Sequence, residues 1–216
     1  MHVLAVDSLN PDPEALREAA DALAAGLVVA FPTDTLYGLA VDPRNAHAVE
    51  RLYAVKGRGF DQPLPLIACD ESQVAQQVGS LTPLARLLAR EFWPGPLTLV
   101  LPAQPSLDTR VHAATGRVAV RVPAHALPRA LARIAGHPIT ATSANLAGEP
   151  PATTVTELSR TLAGRIDLVL DGGPTIGGLP STIVDVTGDT PMLIRAGVVA
   201  WARVLEFVKC PPSTDV

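Results

Sequence analysis

The sequence predicts an α/β fold, on three observations. Short apolar runs that read as strands alternate along the chain with amphipathic runs that read as helices. Proline (21 residues) and glycine (16) punctuate the boundaries between them. A composition 48% hydrophobic and 18% charged over 216 residues suffices to bury one sizeable core. No internal repeat, linker or shift in composition divides the chain. One domain is therefore expected over residues 1–209, with 210–216 a loose C-terminal tail.

Local signals place the elements in order. Asp12 can cap a first helix, Pro13 suits its first turn, Leu16, Ala19, Ala20 and Leu23 share a face, and Gly26 can end it. Residues 27–31 read as a buried strand stopped by Pro32. A helix follows over about 45–56, with Val49, Leu52 and Tyr53 inward. Residues 64–69 read as a strand, then 71–78 and 82–92 as helices, the second halted by Pro94-Gly95-Pro96. Residues 97–101 and 117–122 read as strands, the latter alternating Val118, Val120 and Val122 against Arg117, Ala119 and Arg121. The remainder reads as helix at 126–135, strand at 139–142, helix at 155–162 and strand at 167–170. Strands at 181–186 and 192–194 and a helix at 201–209 complete the series.

Composition narrows the function classes. A net charge of −4, with two tryptophans and two tyrosines, implies weak or no direct nucleic-acid binding. Cys69 and Cys210 sit in no metal-ligand spacing and the five histidines are scattered, so no metal site is expected. No apolar run reaches the roughly eighteen residues of a membrane span. The start, Met1-His2-Val3-Leu4-Ala5-Val6-Asp7, lacks the pattern of a signal peptide, so a cytoplasmic location is expected.

Chemistry concentrates where strands end in loops, as is usual for α/β ligand sites. The segment from Pro32 to Leu39 sets Thr33, Asp34, Thr35 and Tyr37 after an apolar strand; alone, it also suits a turn whose polar groups bond local backbone. Lys56-Gly57-Arg58 offers two cations at a helix end, either to complement the helix dipole or to meet an anion. Arg117 and Arg121 share one strand face, which is either solvated or aimed at a ligand. Thr142-Ser143-Ala144-Asn145 and Ser181-Thr182-Ile183-Val184-Asp185 break apolar strands with hydroxyl and amide groups, and Arg195-Ala196-Gly197 follows. No phosphate loop, dinucleotide fingerprint, zinc-protease motif or nucleophile elbow is present, so a phosphate ligand would have to meet side-chain cations.

In register, these segments and Pro94-Gly95-Pro96-Leu97-Thr98 resemble the YrdC-like threonylcarbamoyl-AMP synthases, in their short, single-domain form. The resemblance covers about residues 27–197. It implies an open, twisted mixed sheet with flanking helices around a large concave basic cavity. It implies an L-threonylcarbamoyladenylate synthase, a nucleotidyltransferase joining L-threonine, bicarbonate and ATP for modification of the tRNA adenosine beside the anticodon. On that resemblance Thr35, Arg121, Ser143 and Ser181 hold threonine. Arg58, Gln62, Arg117, Asn145, Thr153 and Arg195 hold ATP. Lys56 and Arg58 act at the phosphates as loop residues lining the cavity. Mg²⁺ is expected on ATP, and a tRNA threonylcarbamoyl transferase is the expected downstream partner. Gly59, Ile67 and Ala147 depart from the family pattern. Two other readings use the same concavity: a non-catalytic RNA-binding or ribosome-associated module, and a carbamoyl-adenylate-forming domain.

Overall fold

The structure, a computed structural model, describes residues 1–210. In chain order the elements are β1 (His2–Ala5), α1 (Pro13–Ala24), β2 (Val29–Pro32), β3 (Tyr37–Ala40), α2 (Ala46–Lys56) and β4 (Leu66–Ile67). Then come α3 (Glu71–Gln77), α4 (Pro83–Phe92), β5 (Leu97–Pro102), β6 (Arg117–Arg121), α5 (Ala126–Ile134), β7 (Ile139–Thr140) and β8 (Thr142–Ser143). The last are α6 (Val155–Leu162), β9 (Leu168–Asp171), β10 (Thr182–Asp185), β11 (Met192–Arg195) and α7 (Trp201–Lys209). This is an α/β fold with two mixed sheets, one ordered β1-β9-β2-β3-β8 and the other β11-β10-β5-β6-β4-β7.

The helices begin where their caps stand. Asp12 accepts from the Glu14 amide, Asn45 from Ala48 and Thr82 from Ala85, each bond satisfying a donor that the first turn leaves free. Helix α2 ends at Gly57, whose φ of 64° is open to glycine at little steric cost. One buried cluster packs α1 and α5, through Leu16, Leu23, Leu127 and Leu131, on Val29, Phe31, Ile67 and Ile139. The larger cluster packs α2, α4, α6 and α7 on Leu39, Leu66, Leu97, Leu99 and Val120. Each cluster draws strands from both sheets.

Two strands lie outside the sequence expectation. β1 is an edge strand, mostly exposed, which exists by pairing in parallel with β9. β3 runs through what reads as a turn. It pairs Gly38 with Phe31, and a Cβ at Gly38 would sit 3.1 Å from the Phe31 ring, so the glycine makes room for the aromatic. The strand expected at 64–69 narrows to Leu66–Ile67, and the strand at 139–142 is divided at Ala141. That division positions the site. Ile139 and Thr140 pair with β4 in one sheet, whereas Thr142 and Ser143 pair with β3 in the other. Of the expected tail, 211–216 lies outside the described residues, and Cys210 is exposed.

Gly197 ties this frame to the site. A Cβ there would lie 2.2 Å from the Pro180 carbonyl oxygen and 2.5 Å from Ser181 C, both backbone atoms. Around Gly188 a Cβ would meet nothing. Gly197→Ala is expected to cost about 1–3 kcal/mol, the usual range for overpacking, and Gly188→Ala close to nothing. Urea unfolding of both variants checks this.

Candidate active site

Where the sheets part beside Ala141 lies a cavity of about 320 Å³. Both sheets line it. Tyr37, Gly38, Thr142 and Ser143 come from one, and Leu66, Ile67, Thr98, Arg121, Ile183 and Arg195 from the other. Arg58, Gln62 and Pro63 close one side and Pro180 and Ser181 another. The lining contains three arginines and no carboxylate.

Arg121, at the end of β6, is 7% exposed. Its Nη2 donates to Asp34 Oδ1, while Nε has no partner. Arg195, at the end of β11, donates to the Ser181 carbonyl from Nε (3.2 Å) and Nη2 (2.9 Å), and from Nη2 to Ser181 Oγ at 3.2 Å. Ser181 Oγ in turn lies 2.8 Å from Thr98 Oγ1. The Arg58 guanidinium lies over the Tyr53 ring, 5.3 Å from its centre, donates to the Pro63 carbonyl at 3.2 Å and leaves Nε unpartnered. Burial pulls the pKa of all three guanidinium groups below its ordinary value. At Arg121 the Asp34 carboxylate opposes that pull and Arg195 adds to it. A cation taken out of water favours any anion that enters beside it, and the buried Nε of Arg58 and of Arg121 has no partner.

Lys56 is not a loop residue on the lining. It is the last residue of α2 and 3% exposed, because Gly57 turns the chain while the lysine stem stays in the core. Its ammonium donates to the Ser143 carbonyl (2.5 Å) and to Asn145 Oδ1 (2.6 Å), which also accepts from Ser143 Oγ at 2.6 Å. Burial first, and the Arg58 charge second, bring its pKa down to about 8. Lys56 thus braces the Ser143–Asn145 floor from beneath.

Of the expected site residues, Thr35, Arg58, Gln62, Arg121, Ser143, Ser181 and Arg195 line the cavity together. Lys56, Asn145, Arg117 and Thr153 do not. Asn145 is committed below the floor, its Nδ2 donating to the Glu149 carbonyl at 2.5 Å. Arg117 pairs with Asp185 at 2.9 Å, at the opposite end of β6 from Arg121. Thr153 donates its amide (2.7 Å) and its hydroxyl (3.0 Å) to Glu157 Oε2, stabilising the start of α6. Sequence reasoning passed over Asp34 as a site residue, since a carboxylate in a turn has local uses. It also passed over Thr98, although one hydroxyl inside the apolar run Leu97-Thr98-Leu99-Val100-Leu101 is a readable signal.

Known proteins resemble this chain in sequence and fold. The Sua5/YciO/YrdC family model, described as telomere recombination, matches residues 21–197. A Bacillus subtilis protein named threonylcarbamoyl-AMP synthase is 43% identical over 97% of this chain, which spans 60% of that relative. A putative threonylcarbamoyl-AMP synthase of Mycobacterium leprae is 37% identical over 96% of this chain and 95% of its own length. The solved structure of P. abyssi Sua5 complexed with L-threonine superposes with a TM-score of 0.91 at 34% identity, covering 96% of this chain and 61% of that one. E. coli YciO superposes with a TM-score of 0.84 at 26% identity, over 93% of this chain and 98% of its own. The family model over residues 21–197 and these matches in sequence and structure agree: the chain belongs to the Sua5/YciO/YrdC family.

Proposed function

We propose that residues 1–209 act as one catalytic unit, an L-threonylcarbamoyladenylate synthase of the nucleotidyltransferase class. The observation that carries this reading is Arg121: a buried guanidinium in a cavity lining that also holds Thr35, Ser143 and Ser181 and no carboxylate. That combination suits a small hydroxylated acid. The relatives named threonylcarbamoyl-AMP synthase and the threonine complex of P. abyssi Sua5 support the same substrate.

In the proposed reaction the threonine amine combines with bicarbonate to give a carbamate, releasing water. A carbamate oxygen then bonds to the α-phosphorus of ATP as the bond to pyrophosphate breaks. Both reactants are anions. At about 4 Å and an effective dielectric near 20, each like-charge pair repels by about 4 kcal/mol. Arg58 and Arg195, both in the lining, offset that repulsion, and no nucleophilic side chain is needed. Arg121, Ser143, Ser181 and Thr35 hold threonine. Arg58, Gln62 and Arg195 face ATP while Lys56 fixes Ser143 from below, and Asn145 would have to release Lys56 and the Glu149 carbonyl to join them. For Arg117 and Thr153 to reach the nucleotide, their side chains would have to leave Asp185 and Glu157.

The donor set does not fit a protein-held Mg²⁺. The lining has no carboxylate, and among the described residues no three His, Cys, Asp or Glu side chains cluster. In this proposal Mg²⁺ arrives on ATP, held by phosphate oxygens and water. Among the described residues no helix is long and apolar enough to cross a membrane. The proposal sets the reaction in the cytoplasm, with the adenylate passing to a transferase that modifies tRNA.

Pyrophosphate release from ATP should require both L-threonine and bicarbonate, measured in buffer stripped of carbon dioxide and then resupplied. Equal release with either omitted would sink the assignment.

The Lys-Gly-Arg segment should divide under mutation. Arg58→Ala removes an oriented charge from the lining and should lower kcat by about 100-fold or more while leaving thermal stability nearly unchanged. Lys56→Ala should lower both activity and stability, the latter by about 1–3 kcal/mol, because it strips two acceptors of a buried donor. Turnover and urea unfolding on the two variants distinguish the cavity cation from the brace.

A further inference from the structure

Asp34 carries a charge that the reaction as proposed does not use. Its position is well determined. In the turn between β2 and β3, Thr33 Oγ1 accepts from the amides of Thr35 and Leu36, both at 3.2 Å, and donates to the Leu36 carbonyl at 2.7 Å. From the other side the Gly177 amide donates to the Thr35 carbonyl at 2.8 Å. The turn therefore holds Asp34 against Arg121, whose Nη2 donates to it. Both side chains are largely withdrawn from water, 18% and 8% exposed respectively.

This pairing sets the electrostatics of the seat. Alone, a buried guanidinium would attract any carboxylate. Paired with Asp34 it becomes a dipole, positive at Arg121 and negative at Asp34, with no net charge. His125 caps α5 nearby through Nδ1, which accepts from the Leu127 amide at 3.2 Å. Burial holds its pKa below the ordinary value, so this ring adds no cation at neutral pH. Arg195, the other cation close to Arg121, is engaged with Ser181 and belongs to the nucleotide side of the proposed site. A ligand that meets the Arg121 guanidinium in the cavity therefore also meets the field of Asp34. A zwitterion, itself an adjacent positive and negative charge, matches that dipole. A plain carboxylate meets the same guanidinium and is repelled by Asp34 with nothing to offset it.

We propose that Asp34 is a specificity-determining residue: through its pairing with Arg121 it makes the carboxylate seat select a zwitterionic α-amino acid over a carboxylate of similar shape that lacks the amine. The inference rests on the reading of Arg121 as the partner of the substrate carboxylate. Asp34 acts on the ligand through Arg121 and through space, so its signature is a ratio of affinities rather than a loss of folding. For unit charges about 6 Å apart at an effective dielectric near 20, the discrimination amounts to about 10- to 100-fold.

The test measures the dissociation constants of L-threonine and of 3-hydroxybutanoate, its analogue without the amine, by calorimetry. It uses the wild-type protein, Asp34→Asn and Asp34→Glu, with melting temperatures as the folding control. Asparagine keeps an acceptor for Arg121 Nη2 and removes only the charge. The preference of the wild type for threonine should fall about tenfold or more in Asp34→Asn, chiefly because 3-hydroxybutanoate binds more tightly. Asp34→Glu should restore most of it. An unchanged ratio in Asp34→Asn, or an equal weakening of both ligands, overturns the inference and leaves Asp34 a structural anchor. If Asp34→Asn does not fold, Asp34→Ser, which keeps an acceptor and removes the charge, decides: a preference reduced about tenfold or more upholds the role of charge, and an unchanged preference overturns it. Failure of wild-type protein to bind threonine overturns the proposed function together with this inference, whereas a constant ratio with threonine still bound overturns this inference alone.

Discussion

The cavity depends on one backbone constraint, the passage of a single strand from one sheet to the other. Ile139 and Thr140 complete the edge of the second sheet against β4, and two residues later Thr142 and Ser143 complete the edge of the first against β3. Backbone groups in the interior must be paired, so the chain cannot cross between sheets freely. Here the crossing is satisfied by the Ala141 amide donating to the Pro65 carbonyl at 2.8 Å and by Thr140, whose Oγ1 accepts from the Val41 amide at 2.8 Å. With that segment bonded to both sides, the sheets are held together at one line and diverge beyond it. The divergence is the cavity, lined by Arg121 from β6, Arg195 from β11 and Arg58 from the segment after α2.

Those cations are kept by different means, which separates their roles. Arg121 is paired with an acid, Arg195 with a carbonyl, and Arg58 with an aromatic face and a carbonyl. A carboxylate partner cancels charge, whereas a carbonyl or a ring only solvates it. Arg195 and Arg58 thus keep their charge available to an anion such as a phosphate, and Arg121 offers direction more than net charge. Lys56 stands apart from all three, since its charge stays under the floor and fixes the Ser143 and Asn145 groups above it.

Two motifs that read as single units divide their labour along the chain. In Ser181-Thr182-Ile183-Val184-Asp185, Ser181 faces the cavity while Asp185, four residues on, holds Arg117 and caps the Thr187 turn. In Arg195-Ala196-Gly197, the arginine reaches back to Ser181, and Gly197 is the position at which only a hydrogen fits against the backbone of Pro180 and Ser181. The glycine allows the close approach that puts the two polar side chains within bonding distance.

By itself the sequence determined the α/β class, the helices and most strands, because caps, prolines and apolar periodicity act locally and are written in neighbouring residues. It also marked polar clusters at strand ends without deciding their use; the family resemblance singled out Thr35, Arg58, Arg121, Ser143, Ser181 and Arg195, which line one cavity. Only the tertiary structure decided that β1 and β3 are strands, for their pairing partners lie far along the chain or across a turn. It alone decided that Arg117 pairs with Asp185, that Lys56 lies below the lining, and that Asp34 faces Arg121 across 87 residues of chain. The physical reason is the same in each case. A local signal fixes a residue's element, but its partner is fixed by packing between elements, and the charge that a site presents is the sum over partners that only the folded chain brings together.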